Sequence, residues 1–184
     1  MIIKIKRPKD ISFFIDFDGV ITSYNREDYK YKRWLRHPEI LCKEPVIKSI
    51  PEDWIILSKV STVEEAILKA IHVRKLFPKN KFIPIPHNMS KAKYAKGNIL
   101  LDDWNVNLEE WKAAGGIPVK ILNGINSPRD DIRCIPQMES IRSEFITHDD
   151  GTHSVLFHSD YEWHRLYLEG GECDVVFTEL SVDA

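Results

Sequence analysis

Phe13-Phe14-Ile15-Asp16-Phe17-Asp18-Gly19-Val20-Ile21-Thr22 is the stretch on which the reading of this chain turns. Ile11-Ser12-Phe13-Phe14-Ile15 is β-branched and aromatic, with the nearly continuous apolar character of a strand buried on both faces of a parallel sheet. Asp16 and Asp18 then stand where the chain leaves the sheet. In open α/β sheets ligands bind at the carboxyl ends of the strands.

Working outward, the same pattern recurs. Trp54-Ile55-Ile56-Leu57 runs into Ser58, and Ile99-Leu100-Leu101 runs into Asp102-Asp103. Phe82-Ile83-Pro84-Ile85 and Pro118-Val119-Lys120-Ile121-Leu122 complete a set of five strands. Pro84 confines its strand to an edge, because proline donates no ladder hydrogen bond. Ser61-Thr62-Val63-Glu64 has capping-box spacing and opens a helix whose apolar face is read from Val63, Ala66, Ile67, Ala70, Ile71 and Val73–Leu76, ending before Pro78. Leu108–Ala114 is a second helix, stopped by Gly115-Gly116, and Ser90–Ala95 is a short helical turn. Strands alternating with helices predict an α/β, three-layer, Rossmann-like parallel sheet.

Two regions break the alternation. Residues 21–53 carry Tyr24, Tyr29, Tyr31 and Trp34 with seven Lys/Arg against six Asp/Glu, and are too long for a simple loop. They read as a small helical cap over the strand ends. Charge changes sharply near Pro128: residues 1–128 balance at +7 and residues 129–184 at −9, within a net charge of −2. A core over 1–128 and an acidic, β-rich extension over 129–184 are expected. Within the extension, His153–His158, Tyr161–Leu168 and Cys173–Leu180 read as a β-meander. Its histidines, His148, His153, His158 and His164, are spaced five, five and six apart, which does not gather them on one strand face.

Composition sets the remaining bounds. With 184 residues, 43% hydrophobic and 29% charged, the chain can bury a full core without disulfides. Cys42, Cys134 and Cys173 are odd in number and scattered, which reads as free thiols in a reducing compartment. No apolar run approaches a membrane span, and MIIKIKRPKD has no signal-peptide pattern. A cytoplasmic protein without a membrane partner is expected.

The chemistry follows from the acids. Asp16, Asp18, Asp102 and Asp103, brought to one sheet edge, repel one another unless a cation sits among them. Hard oxygen ligands without His or Cys favour Mg²⁺, which completes its shell with water and phosphate. A strand-end Asp can serve as a nucleophile and a second as acid and base. Ser58 can bond a phosphate oxygen, and Lys91 can neutralise its charge.

Phe13–Thr22 resembles motif I of the haloacid dehalogenase-like superfamily. Ser58 resembles its motif II, Lys91 in Lys91-Ala92-Lys93-Tyr94-Ala95 its motif III, and Ile99–Asp103 the double-aspartate form of motif IV. Gly97–Trp104 with Asn107–Trp111 and Gly115-Gly116 is similar to the 5'(3')-deoxyribonucleotidase-like branch. The resemblance covers about residues 11–125. It implies a sheet ordered 5-4-1-2-3 in the five strands above. It implies Asp16 as nucleophile and Asp18 as acid/base, with Ser58 and Lys91 on the phosphoryl group. Mg²⁺ would be held by Asp16, the backbone carbonyl of Asp18 and Asp103, with Asp102 in support; Asp102 is the rival ligand and Lys93 the rival lysine. The expected activity is Mg²⁺-dependent hydrolysis of a phosphomonoester, a nucleoside monophosphate first. The alternatives are a sugar phosphate, a polynucleotide end phosphate or a non-catalytic binding module. A small phosphorylated molecule is the expected partner, with nucleic acid not favoured. Homo-oligomers would form through the C-terminal strands.

Overall fold

The computed structural model describes residues 3–5, 11–23, 45–124, 127–160 and 162–168. Its centre is a six-stranded, all-parallel sheet. In chain order the strands are β1 (Ile3–Ile5), β2 (Phe13–Ile15), β3 (Ile55–Val60), β4 (Lys81–Pro86), β5 (Ile99–Asp102), β6 (Ile117–Leu122), β7 (Arg133–Pro136), β8 (Arg142–Thr147), β9 (His153–His158) and β10 (Trp163–Tyr167). The helices are α1 (Val63–Leu76) and α2 (Asn105–Ala113), with a 3₁₀ turn at Lys91–Tyr94.

The parallel sheet runs β4-β3-β2-β5-β6-β7. Five strands were expected; the sixth, β7, pairs with β6 through Val119–Arg133 to Leu122–Pro136 and comes from beyond the charge break at Pro128. Its short Arg-Cys-Ile-Pro sequence carries little strand signal, and the sheet edge left open by β6 supplies the pairing. β4, with its two prolines, is the opposite edge. The central pairs that matter for the site are β2 with β5, Ile15 beside Leu101, and β2 with β3, Ile15 beside Ile56.

Side chains alternate across β2 and build a core on each face. Phe14 joins Leu57, Leu100, Leu108 and Trp111 under α2. Phe13 and Ile15 face the other way, with Ile56, Leu101, Val73 and Phe77. On that second face a separate antiparallel sheet, β1-β8-β9-β10, provides much of the cover. Phe145 and Phe157 pack edge-on to Phe13, which itself stacks on Trp54 at 5.0 Å. A layer of strands thus does on this face what helices were expected to do.

The tail corresponds in part to the expected meander. β9 and β10 fall on two of its three runs; the third, Cys173–Leu180, lies outside the described residues. β8 was not foreseen, nor was β1, which pairs antiparallel with β8 through Ile3–Thr147 to Ile5–Phe145. Residues 24–44, most of the cap expected over 21–53, lie outside the described residues, and 21–23 and 45–53 contain no helix.

Helix α1 corrects its own reading. Its cap is one residue later than expected: Thr62 accepts from the Glu65 amide at 3.1 Å, and Glu65 reaches back to the Ser61 amide at 2.7 Å. Its facing is as expected in the last turn, where Val73 is buried and Leu76 packs against the core, and is reversed before it. Val63, Ile67 and Ile71 are 73%, 53% and 63% exposed, while Glu65, Lys69 and Val73 are buried. Among the described residues no helix is long and apolar enough to cross a membrane.

Candidate functional site

Parallel strands deliver whatever follows their last residue to one edge. Asp16 follows β2, Asp103 follows β5, Asn123 follows β6 and Gln137 follows β7. Because β2 and β5 are neighbours in register, Asp16, Asp102 and Asp103 converge, each with a carboxylate oxygen within 4.8 Å of the others'. All three are buried.

Lys91 stands inside this group. The 3₁₀ turn, capped by Ser90 on the Ala92 amide at 3.0 Å, directs the buried Lys91 Nζ to Asp16 Oδ1 at 2.8 Å and Asp102 Oδ2 at 2.7 Å. Burial alone would lower the Lys91 pKa, but Asp102 and Asp16 together outweigh it and push the value up to about 12. Lys93, the rival, is exposed, with its Nζ 4.9 Å from the Tyr94 ring centroid.

The two aspartates of β5 have different surroundings. Asp102 is held on both oxygens: Oδ2 accepts from Lys91 and from Asn107 Nδ2 at 3.0 Å, and Oδ1 accepts from the Trp104 amide at 2.8 Å. Asp103 accepts from Asn123 Nδ2 at 2.7 Å on Oδ2, and its backbone carbonyl accepts from the buried Lys120 Nζ. Lys120 also reaches Asn105 Oδ1 at 2.7 Å, tying the loop to α2.

Burial raises the Asp16 carboxyl to about 8; Lys91 opposes this, and the charges of Asp102, Asp18 and Asp103 add to it. Burial and the Asp102 charge likewise raise Asp103 to about 7, against the Asn123 hydrogen bond. These acids are too close and too dry to be anions together. A divalent cation among them would remove that conflict, and an all-oxygen donor set suits a hard ion. Asp16, Asp102 and Asp103 are the residues that could hold it.

Asp18 and Ser58 form a second group beside the first. Ser58 Oγ donates to Asp18 Oδ2 at 3.2 Å, and Lys69 Nζ, fully buried, bonds the same oxygen. Lys69 also meets Glu65 Oε1 at 2.8 Å, Ser58 Oγ at 3.2 Å and the Lys59 carbonyl at 3.2 Å. Burial pulls the Lys69 pKa down, but Asp18 and Glu65 hold it above the ordinary lysine value, so the group stays charged.

Every expected site residue, Asp16, Asp18, Ser58, Lys91, Asp102 and Asp103, therefore belongs to one of two neighbouring groups on a single edge. Lys69, Glu65, Asn107, Lys120 and Asn123 were not foreseen. Asn123 had a signal, being a polar residue at the end of a strand read correctly. Lys69 and Glu65 had only their i, i+4 spacing. Compared with protein-family models, with curated proteins and with solved structures, the chain matches none.

Proposed function

We propose that the protein is a Mg²⁺-dependent phosphomonoester hydrolase of the haloacid dehalogenase-like type, working through an aspartyl phosphate on Asp16. The observation that carries this reading is the meeting of Asp16, Asp102 and Asp103 around the buried Lys91 at a parallel-sheet edge. A purely structural cluster has no need of three buried acids with one ammonium. A site that receives a cation and a phosphate does.

In the proposed reaction an Asp16 carboxylate oxygen attacks phosphorus in line, and the ester P–O bond breaks. Asp18 gives its proton to the departing oxygen. Asp18 then takes a proton from water, whose oxygen attacks the phosphorus of the acyl phosphate, releasing phosphate and restoring Asp16. Lys91 and Ser58 would neutralise and bond the phosphoryl oxygens. Mg²⁺ bound by Asp16, the Asp18 carbonyl and Asp103 would supply charge stabilisation for the transferring group and keep Asp16 ionised.

A nucleoside monophosphate is the substrate class we favour. Trp104, half-exposed and directly after Asp103, is the aromatic surface nearest in sequence to the site. The decisive assay measures p-nitrophenyl phosphate turnover with Mg²⁺ and with EDTA, followed by a panel of nucleoside monophosphates and sugar phosphates. Turnover that needs Mg²⁺ and is highest on nucleotides is expected. No turnover of any ester would overturn the reading. Steep salt inhibition on oligonucleotide ends would replace the nucleotide by a polynucleotide.

A further inference from the structure

Helix α1 turns an ammonium inward and three branched apolar side chains outward. Lys69 has no exposure at all, while Val63, Ile67 and Ile71 are largely in solvent. Removing a lysine from water is strongly unfavourable unless new partners compensate it. Glu65 alone does not account for this orientation, since an i, i+4 pair forms equally well on a solvent-facing surface without desolvation. What the inward position adds is Asp18 and Ser58.

The contacts are arranged asymmetrically. Both bonds to the Asp18 carboxylate, from Ser58 Oγ and from Lys69 Nζ, land on Oδ2. Among the described residues no hydrogen bond lands on Oδ1. Lys69 is itself fixed from behind by Glu65, whose other oxygen accepts from the Ser61 amide, so the support continues into the first turn of α1. The Asp18 side chain is 19% exposed and its lysine 0%, so the support is dry.

We infer that Lys69 is a positioning residue that holds the Asp18 carboxylate in one orientation, with Oδ2 anchored and Oδ1 presented for acid–base transfer. The inference rests on the phosphatase reading above. It assigns Lys69 no contact with substrate or metal. Misplacing a general acid–base group by about 1 Å costs on the order of 10²-fold in rate while leaving binding intact.

The test uses the full chain with Mg²⁺ and p-nitrophenyl phosphate, whose leaving group departs without a proton; Asp18→Asn then forms the aspartyl phosphate but hydrolyses it slowly, so its residual kcat is read at high enzyme concentration. Lys69→Met is expected to lower kcat about 10- to 100-fold with KM changed less than about threefold, and Lys69→Arg to recover most of the loss. Because Lys69 acts through Asp18, adding Lys69→Met to Asp18→Asn should change kcat by less than about twofold. Should Lys69→Met fail to fold, Glu65→Gln, which loosens Lys69 without removing it, is expected to lower kcat several-fold at constant KM, again only when Asp18 is present. Wild-type kcat in these variants, or a loss that multiplies in full on Asp18→Asn, overturns the role of Lys69 and leaves the phosphatase reading standing. An inactive wild-type protein overturns both.

Discussion

Gly19 lies against Asp103 across the site. With φ at +76°, a Cβ on Gly19 would sit 2.9 Å from the Asp103 carboxyl carbon and closer still to Oδ2. The Gly19 carbonyl accepts from Asn123 Nδ2 at 2.9 Å, and the same amide group holds Asp103, so the two strand ends share one clamp. Only a residue without a side chain permits that approach.

Gly19→Ala is therefore expected to push Asp103 away from Asp16. Mg²⁺ affinity measured by titration calorimetry should fall at least about tenfold, with about 1–3 kcal/mol lost in stability from the strained backbone. Unchanged affinity would show that the two acids do not share an ion.

Lys91→Met removes a cation that touches both Asp16 and Asp102. Stranding buried charge of this kind costs about 3–5 kcal/mol, read from urea unfolding. Replacing Asp102 by Asn in the same chain should return much of the loss, because the stranded charge goes with it. Additive losses would contradict the pairing.

Stability should depend on pH in a particular direction when divalent ions are chelated. Asp16 has a folded value of about 8 against 3.8 in the unfolded chain, and Asp103 about 7 against 3.8. Between those values the folded state holds more protons than the unfolded one, so unfolding free energy falls as pH climbs from about 4 to about 8. In EDTA, Tm at pH 8 is expected to lie at least about 3 °C below Tm at pH 6, the shift that ~1 kcal/mol produces in a chain of this size. Mg²⁺ should close that gap at pH 8. A metal-free protein equally stable at both would mean the acids are not strained by their closeness.

Asp16→Asn should abolish turnover, with a loss of about 10³-fold or more, because the amide offers no nucleophilic oxygen. The variant should still fold, and in EDTA at pH 8 it should be no less stable than the parent, since the neutral group escapes the repulsion of Asp102, Asp18 and Asp103. Near-normal turnover would remove Asp16 from the chemistry.

Ile67→Lys on α1 should change stability by less than about 0.5 kcal/mol, as expected for an exposed site. A loss of 2 kcal/mol or more in chemical denaturation would mean that this face is covered.

That last case shows where reading the chain succeeds and where it fails. β2, β3, β5 and β6 are legible because strands buried on both faces must be apolar throughout, and the acids after them are legible because nothing apolar explains their place. The first turns of helix α1 are misread because two stripes, Val63-Ile67-Ile71 and Glu65-Lys69, have the same periodicity. Hydropathy selects the first, whereas Asp18 and Ser58, distant in sequence, select the second. β7 is missed for a related reason: a four-residue strand is set by the open edge of β6 and not by its own residues. The partnership of Asn123 with Gly19 and Asp103 depends on strand order, which local pattern does not encode.

The pairing of β1 with β8 joins the first described strand to the sheet built late in the chain. Phe145, Val155 and Phe157 from the later sheet share one core with Phe13 and Trp54 from the earlier one. A chain truncated after Pro128 would therefore strip β6 of its neighbour and lay bare the aromatic face of β2. Such a fragment should be recovered as an aggregate, and the missing portion supplied as a separate peptide should restore solubility, as a complementing half does.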